Sequence, residues 1–150
     1  MTWEDSVSVM TMDDLRLDLL GSPAAAGLAR TLLCQRLRKW GHSALLDDVL
    51  LVASELLTNA AEATPGEQIR LRLGRNAKGV FLGVWDSSPL RPYAKPVLFL
   101  TGEDLDATDE TFDHGGGWGL PLIRALATAC GVQHDERGGK WVWATFDART

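Results

Sequence analysis

The sequence predicts an α+β two-layer fold, a sheet covered by helices, on three observations. Apolar residues alternate at Leu15, Leu17 and Leu19 and again at Ile69, Leu71 and Leu73, the pattern of half-buried strands. Between these runs, two long stretches carry leucine, valine and alanine at three- and four-residue spacing, the mark of core-facing helices. A short turn, Asn76-Ala77-Lys78-Gly79, then joins the second strand to the apolar run Val80 to Trp85 in a hairpin.

In chain order, residues 1–12 show no period and read as a tail or an edge element. The strand Leu15 to Leu19 ends at the turn Gly21-Ser22-Pro23. Ser22 suits a helix N-cap and Pro23 the first helical position, and Ala24 to Lys39 then presents Leu28, Leu32, Leu33 and Leu37. Gly41 stops that helix. The next helix occupies roughly Leu45 to Ala63 and is closed by Thr64-Pro65-Gly66. Gln68, Arg70 and Arg72 give the second strand one wet face, whereas Val80 to Trp85 is apolar on both sides and delivers Asp86 at its end. After a loop and an acidic stretch, Leu120 to Ala127 reads as a helix with Pro121 in its first turn. Val132 to His134, a Gly138-Gly139 turn and a strand Trp141 to Phe146 close the chain.

Composition fits one soluble domain: 150 residues, 45% hydrophobic and 7% aromatic. The first thirteen residues hold Glu4, Asp5 and Asp13, no basic residue and no long apolar run, so neither a secretory signal nor a membrane span is expected and the protein is placed in the cytoplasm. Cys34 and Cys130 stand among apolar residues of expected helices, far from any metal-ligand spacing, and read as reduced core residues. A net charge of −5 argues against direct nucleic-acid binding. That charge is local. Glu103, Asp104, Asp106, Asp109, Glu110 and Asp113 fall between Thr101 and His114 with no Lys or Arg, and the remainder is balanced. Such a run is either a solvated loop or an ordered lid.

Two features carry candidate chemistry. Glu55, Asn59 and Glu62 stand at i, i+4 and i+7 of the second helix, so they stack in one row on an element that is otherwise apolar. The row is a solvated stripe or the wall of a site. The cluster Gly115-Gly116-Gly117-Trp118-Gly119 runs into Leu120 and a helix N-terminus, where free N–H groups and the helix dipole favour an anion. Neither a Gly-x4-Gly-Lys-Ser/Thr loop nor a dinucleotide fingerprint fits those letters.

Taken together, three segments resemble the ATP-binding domain shared by sensor histidine kinases, type II topoisomerases, heat-shock chaperone ATPases and anti-sigma-factor serine kinases, the Bergerat-fold or GHKL group. Glu55-Leu-Leu-Thr-Asn59-Ala resembles the N-box, Val84-Trp85-Asp86-Ser87-Ser88-Pro89 the adenine-binding box, and Gly115 to Leu120 the glycine box. The chain is most similar to stand-alone anti-sigma-kinase-like proteins of actinomycetes, which share Lys39-Trp40-Gly41 and the late Gly139-Lys140. The resemblance implies a mixed, mostly antiparallel sheet with helices on one face, forming a single domain over 1–150 with residues 101–114 as the ATP lid. It also implies ATP and Mg²⁺ as ligands. Asn59 would hold the metal, Asp86 would accept from the adenine amino group, and Gly115, Gly116, Gly117, Trp118, Gly119 and Leu120 would wrap the phosphates. Glu55 would be the catalytic base.

The function expected from that resemblance is a cytoplasmic, Mg-ATP-binding regulator similar to an anti-sigma-factor protein-serine kinase. Its partner would be a sigma factor, an anti-anti-sigma protein or another transcription regulator, and a homodimer is compatible with it. His42, His114 and His134 lie outside any helical phosphoacceptor context, which argues against a complete sensor kinase. The alternatives are a non-catalytic, ATP-gated protein-binding module and a structural domain with a vestigial site.

Overall fold

The computed structural model describes residues 14–88 and 119–148. The expected tail at 1–12, the acidic segment 101–114 and residues Gly115, Gly116, Gly117 and Trp118 lie outside them. Among the described residues the elements run in the order β1 (Leu15–Leu20), α1 (Pro23–Lys39), a 3-10 turn (Ser43–Leu45), α2 (Leu46–Ala63), β2 (Gln68–Arg75), β3 (Gly79–Asp86), α3 (Gly119–Leu126), β4 (Ala129–His134) and β5 (Lys140–Asp147). The described strands form one sheet in the order β1-β2-β3-β5-β4, and each neighbouring pair is antiparallel.

Alternation fixes which face of this sheet meets the helices. Ile69, Leu71 and Leu73 of β2, Val80, Leu82 and Val84 of β3, and Val142, Ala144 and Phe146 of β5 share one core with Leu33 and Leu37 of α1, Val49, Val52, Ala53 and Leu56 of α2, and Ile123 of α3. The helices therefore cover one face, and α2 lies centrally, in contact with α1, α3 and β3. On the opposite face the Arg70 guanidinium sits 5.0 Å from the Trp85 ring centroid, and Arg72 sits 5.5 Å from that of Trp141. Burial lowers the pKa of Arg72 from its ordinary value, a shift opposed by Asp18 and reinforced by Arg16 and Arg70.

Helix boundaries follow local chemistry. Pro23 occupies the first turn of α1, but the Ser22 side chain makes no capping bond there; the backbone carbonyl of Ser22 accepts from the Ala25 N–H at 3.1 Å instead. At the other end Gly41 takes φ +77, its N–H donates to the Arg38 carbonyl, and the His42 N–H donates to the Leu37 carbonyl at 2.8 Å. This pair of bonds is a Schellman closure, which needs a residue tolerant of the left-handed region at Gly41.

Two expectations change. Leu28 is 53% exposed, and the buried stripe of α1 runs instead through Ala25, Ala29, Leu33 and Leu37. Small alanines at one end of that stripe bring the helix backbone close to its neighbours, which leucine at the same positions would prevent. Cys130 lies in β4 rather than in a helix, because α3 ends at Leu126 and the chain turns into a strand from Ala129. Both cysteines are free thiols, half-buried rather than fully in the core.

Candidate functional site

The row on α2 grades from half-buried to exposed. Glu55 is half-buried, Asn59 is only 4% exposed, and Glu62 is exposed. Asn59 is enclosed because Leu56, Leu57 and Ala60 around it are buried. Neither its side-chain nitrogen nor its side-chain oxygen has a hydrogen-bond partner among the described residues. Native interiors satisfy almost all such groups, and each one left unmade costs about 1–3 kcal/mol. An amide placed there at that cost fits a position kept for a ligand.

Asp86 ends β3 on the helix-facing side, in the same alternation as Val80, Leu82 and Val84. It is 2% exposed. Its Oδ1 accepts from the Ser88 N–H at 2.9 Å, a local turn, and from the Lys140 ammonium at 2.6 Å. Lys140 opens β5 directly opposite Asp86 and is fully buried, and it also donates to the Ser88 carbonyl at 3.3 Å. The turn before it is fastened to β3 as well, since the Trp85 indole donates to the Gly138 carbonyl at 3.0 Å.

Lys140 belongs to the Gly139-Lys140 pair that carries part of the resemblance, but the resemblance assigns it no role in the site. A lone lysine beginning the otherwise apolar Trp141 to Phe146 was the available signal, but only strand register brings it to Asp86. Gly119 and Leu120 form the first two residues of α3, whose Ile123 is buried in the shared core beside α2. The other glycine-box residues, Gly115 to Trp118, are outside the described residues.

A separate cleft of about 580 Å³ lies between the start of α1, the outer side of α2 and β2. Leu57, Thr58 and Ala61 line it, and Glu62 is the one member of the helix row that reaches it. Among the described residues no group of three or more His, Cys, Asp or Glu side chains is arranged to hold a metal, and no helix is long and apolar enough to cross a membrane.

This arrangement of helices and sheet can be compared with known proteins. The family described as the histidine kinase-like ATPase domain matches residues 21–146. The chain belongs to that family. In its members' terms, the segments around Asn59 and Asp86 both lie within the matched span. Among solved structures, the RsbU and RsbW domains of Rv1364c from Mycobacterium tuberculosis are similar, with a TM-score of 0.62 and 19% identity over 91% of this chain. The match covers 33% of that solved chain, and identity this low speaks for the shared fold. No curated protein matches the sequence.

Proposed function

We propose that this histidine kinase-like ATPase domain binds Mg-ATP between α2 and the adjoining ends of β3 and β5 and acts as a regulatory protein-serine kinase on a transcription-related protein partner. The observation that carries the reading is the buried, unpartnered amide of Asn59, one helical turn beyond the half-buried carboxylate of Glu55. Mg²⁺ accepts few protein ligands and keeps several waters, so a single amide oxygen together with nucleotide phosphates suits it. When bound, the ion would neutralise phosphate charge and align the terminal phosphoryl group.

The chain's own residues have separable tasks in this reading. Asn59 orients its side-chain oxygen toward the metal. Asp86 accepts from the base amino group with the carboxylate oxygen that the turn and Lys140 do not use. Glu55, about 6 Å along the helix axis from Asn59, takes the proton from a partner serine hydroxyl or from water. The N-terminus of α3, at Gly119 and Leu120, would face the phosphates; the expected glycine-box residues Gly115 to Trp118 and the expected lid, 101–114, lie outside the described residues.

A second reading, an ATP-gated binding module without phosphate transfer, is favoured by one observation: no hydrogen bond or ion pair orients Glu55 among the described residues. Incubating the protein with radiolabelled ATP and a co-purified partner separates the two. Label on the partner supports the kinase, whereas retained ATP with an unlabelled partner supports the binding module. Failure to retain ATP at all removes both.

A further inference from the structure

Lys140 and Asp86 form a buried ion pair at the adjoining ends of β5 and β3. Two opposite charges removed from water are costly, and well-packed apolar residues of similar volume often stabilise a fold as well or better. Stability alone is therefore a weak reason for a fully buried lysine at the mouth of a sheet. Its geometry is also one-sided. The Lys140 ammonium at 2.6 Å and the Ser88 N–H at 2.9 Å both converge on Oδ1 of Asp86, and no described residue donates to Oδ2. A carboxylate placed only to tie strands together would have both oxygens available for that purpose. Here one oxygen is fully committed while the other remains an acceptor.

We infer that Lys140 determines base selectivity: by committing Oδ1 of Asp86 and balancing its charge, it leaves Oδ2 as an acceptor that demands a purine bearing an exocyclic amino group. This deepens the nucleotide reading above and rests on it. A purine with a 6-oxo group would set two acceptors against each other in a dry site, which is strongly rejected because neither can be satisfied. Strand register makes the device rigid. Asp86 and Lys140 are cross-strand partners, and Gly139, at φ +78, packs so closely that an added Cβ would lie 2.3 Å from the Asp86 carbonyl oxygen. The ammonium uses two of its three protons, on Asp86 and on the Ser88 carbonyl, so it is held from two sides.

Removing the ammonium frees Oδ1 and takes away the counter-charge. Without it, among the described residues only the Ser88 N–H holds the carboxylate, which can then turn aside from an oxo group that the wild type is forced to meet. The site would no longer distinguish an amino group from an oxo group at the same ring position.

The test measures dissociation constants for Mg-ATP and Mg-ITP, which differ at that position, with the wild type and Lys140→Met, after circular dichroism has shown the variant folded. Wild type is expected to prefer ATP by about 10²-fold or more, and Lys140→Met to bring the ratio within about tenfold. A folded Lys140→Met protein that keeps the wild-type ratio overturns the assignment. Should the variant fail to fold, the wild type labelled with ¹⁵N-lysine decides. ATP should shift the Lys140 ammonium resonance while inorganic tripolyphosphate leaves it in place, and equal responses to the two overturn the assignment. A wild type that binds neither nucleotide refutes the nucleotide reading itself, a result distinct from loss of selectivity alone.

Discussion

Asn59 holds two buried polar atoms for which the described residues provide no partner. Leucine has nearly the same shape, so Asn59→Leu should raise the unfolding free energy of the nucleotide-free protein by about 1 kcal/mol or more, read from urea denaturation, while eliminating ATP binding. A variant less stable than wild type would show that the amide is satisfied and structural. Glu55 is tested differently. Glu55→Gln keeps shape and hydrogen-bonding capacity but deletes the charge a base requires, so ATP binding should persist while phosphate transfer to the partner falls roughly 10²–10⁴-fold. Transfer at the wild-type rate would remove the role given to Glu55. Cys130 gives a third check at this scale. Burial raises its thiol pKa, with Arg124 opposing the shift, so less thiolate is present at a given pH than for an open cysteine. In a Cys34→Ser background, iodoacetamide should react with the folded protein more slowly than with the same protein in urea.

Among the elements, the strands were the more legible in the sequence because a period of two leaves little choice of face once one side is apolar. Ile69, Leu71 and Leu73 are buried as their alternation requires, and the Asn76 turn forms with its side-chain oxygen accepting from Lys78 and Gly79 at 2.9 and 2.8 Å. Helix α1 was harder, since leucine at position 28 fits the apolar spacing and yet faces outward; alanine gives little hydrophobic signal, so a stripe beginning at Ala25 and Ala29 is easily missed. Turn glycines sort by surroundings that no sequence shows. Gly41 and Gly139 have nearly equal backbone angles, φ +77 and +78, but an added Cβ meets nothing within 4 Å at Gly41 and meets Asp86 and Trp85 at Gly139. Gly41→Ala should therefore cost only the left-handed conformation, about 1–2 kcal/mol. Gly139→Ala should cost clearly more in the same urea titration and should weaken ATP binding too, because the backbone that must move carries Asp86. Equal effects of the two substitutions would mean that the β4–β5 turn yields without disturbing the end of β3.

At the level of the molecule, the candidate site was legible where a motif lies within one helix or at one strand end, and illegible where distant segments meet. Glu55 and Asn59 share a face by helical period alone, and Asp86 stands where a strand must stop. The Lys140–Asp86 bond joins positions separated by more than fifty residues, and only the β3–β5 register brings them together. On the proposed reading, a site distributed over α2, β3 and β5 would couple nucleotide binding to the global fold, because a ligand that binds only the folded chain stabilises all of it. At a hundredfold excess over its dissociation constant Mg-ATP should contribute about 2.7 kcal/mol, which for a chain of this size raises the melting temperature by about 5–10 °C. Asp86→Asn and Asn59→Ala should each abolish that increment, the first because the amide oxygen pairs with Lys140 and Ser88 and turns an NH2 donor toward the base amino group, the second by losing the metal ligand. Ligand-free melting temperatures must be measured alongside, since each substitution also changes the apo protein. The decisive quantity is the shift on adding Mg-ATP rather than the temperature itself. A wild type that shows no shift at saturating concentration would remove nucleotide binding from this protein, and a shift preserved in Asp86→Asn would move the base to another part of the fold.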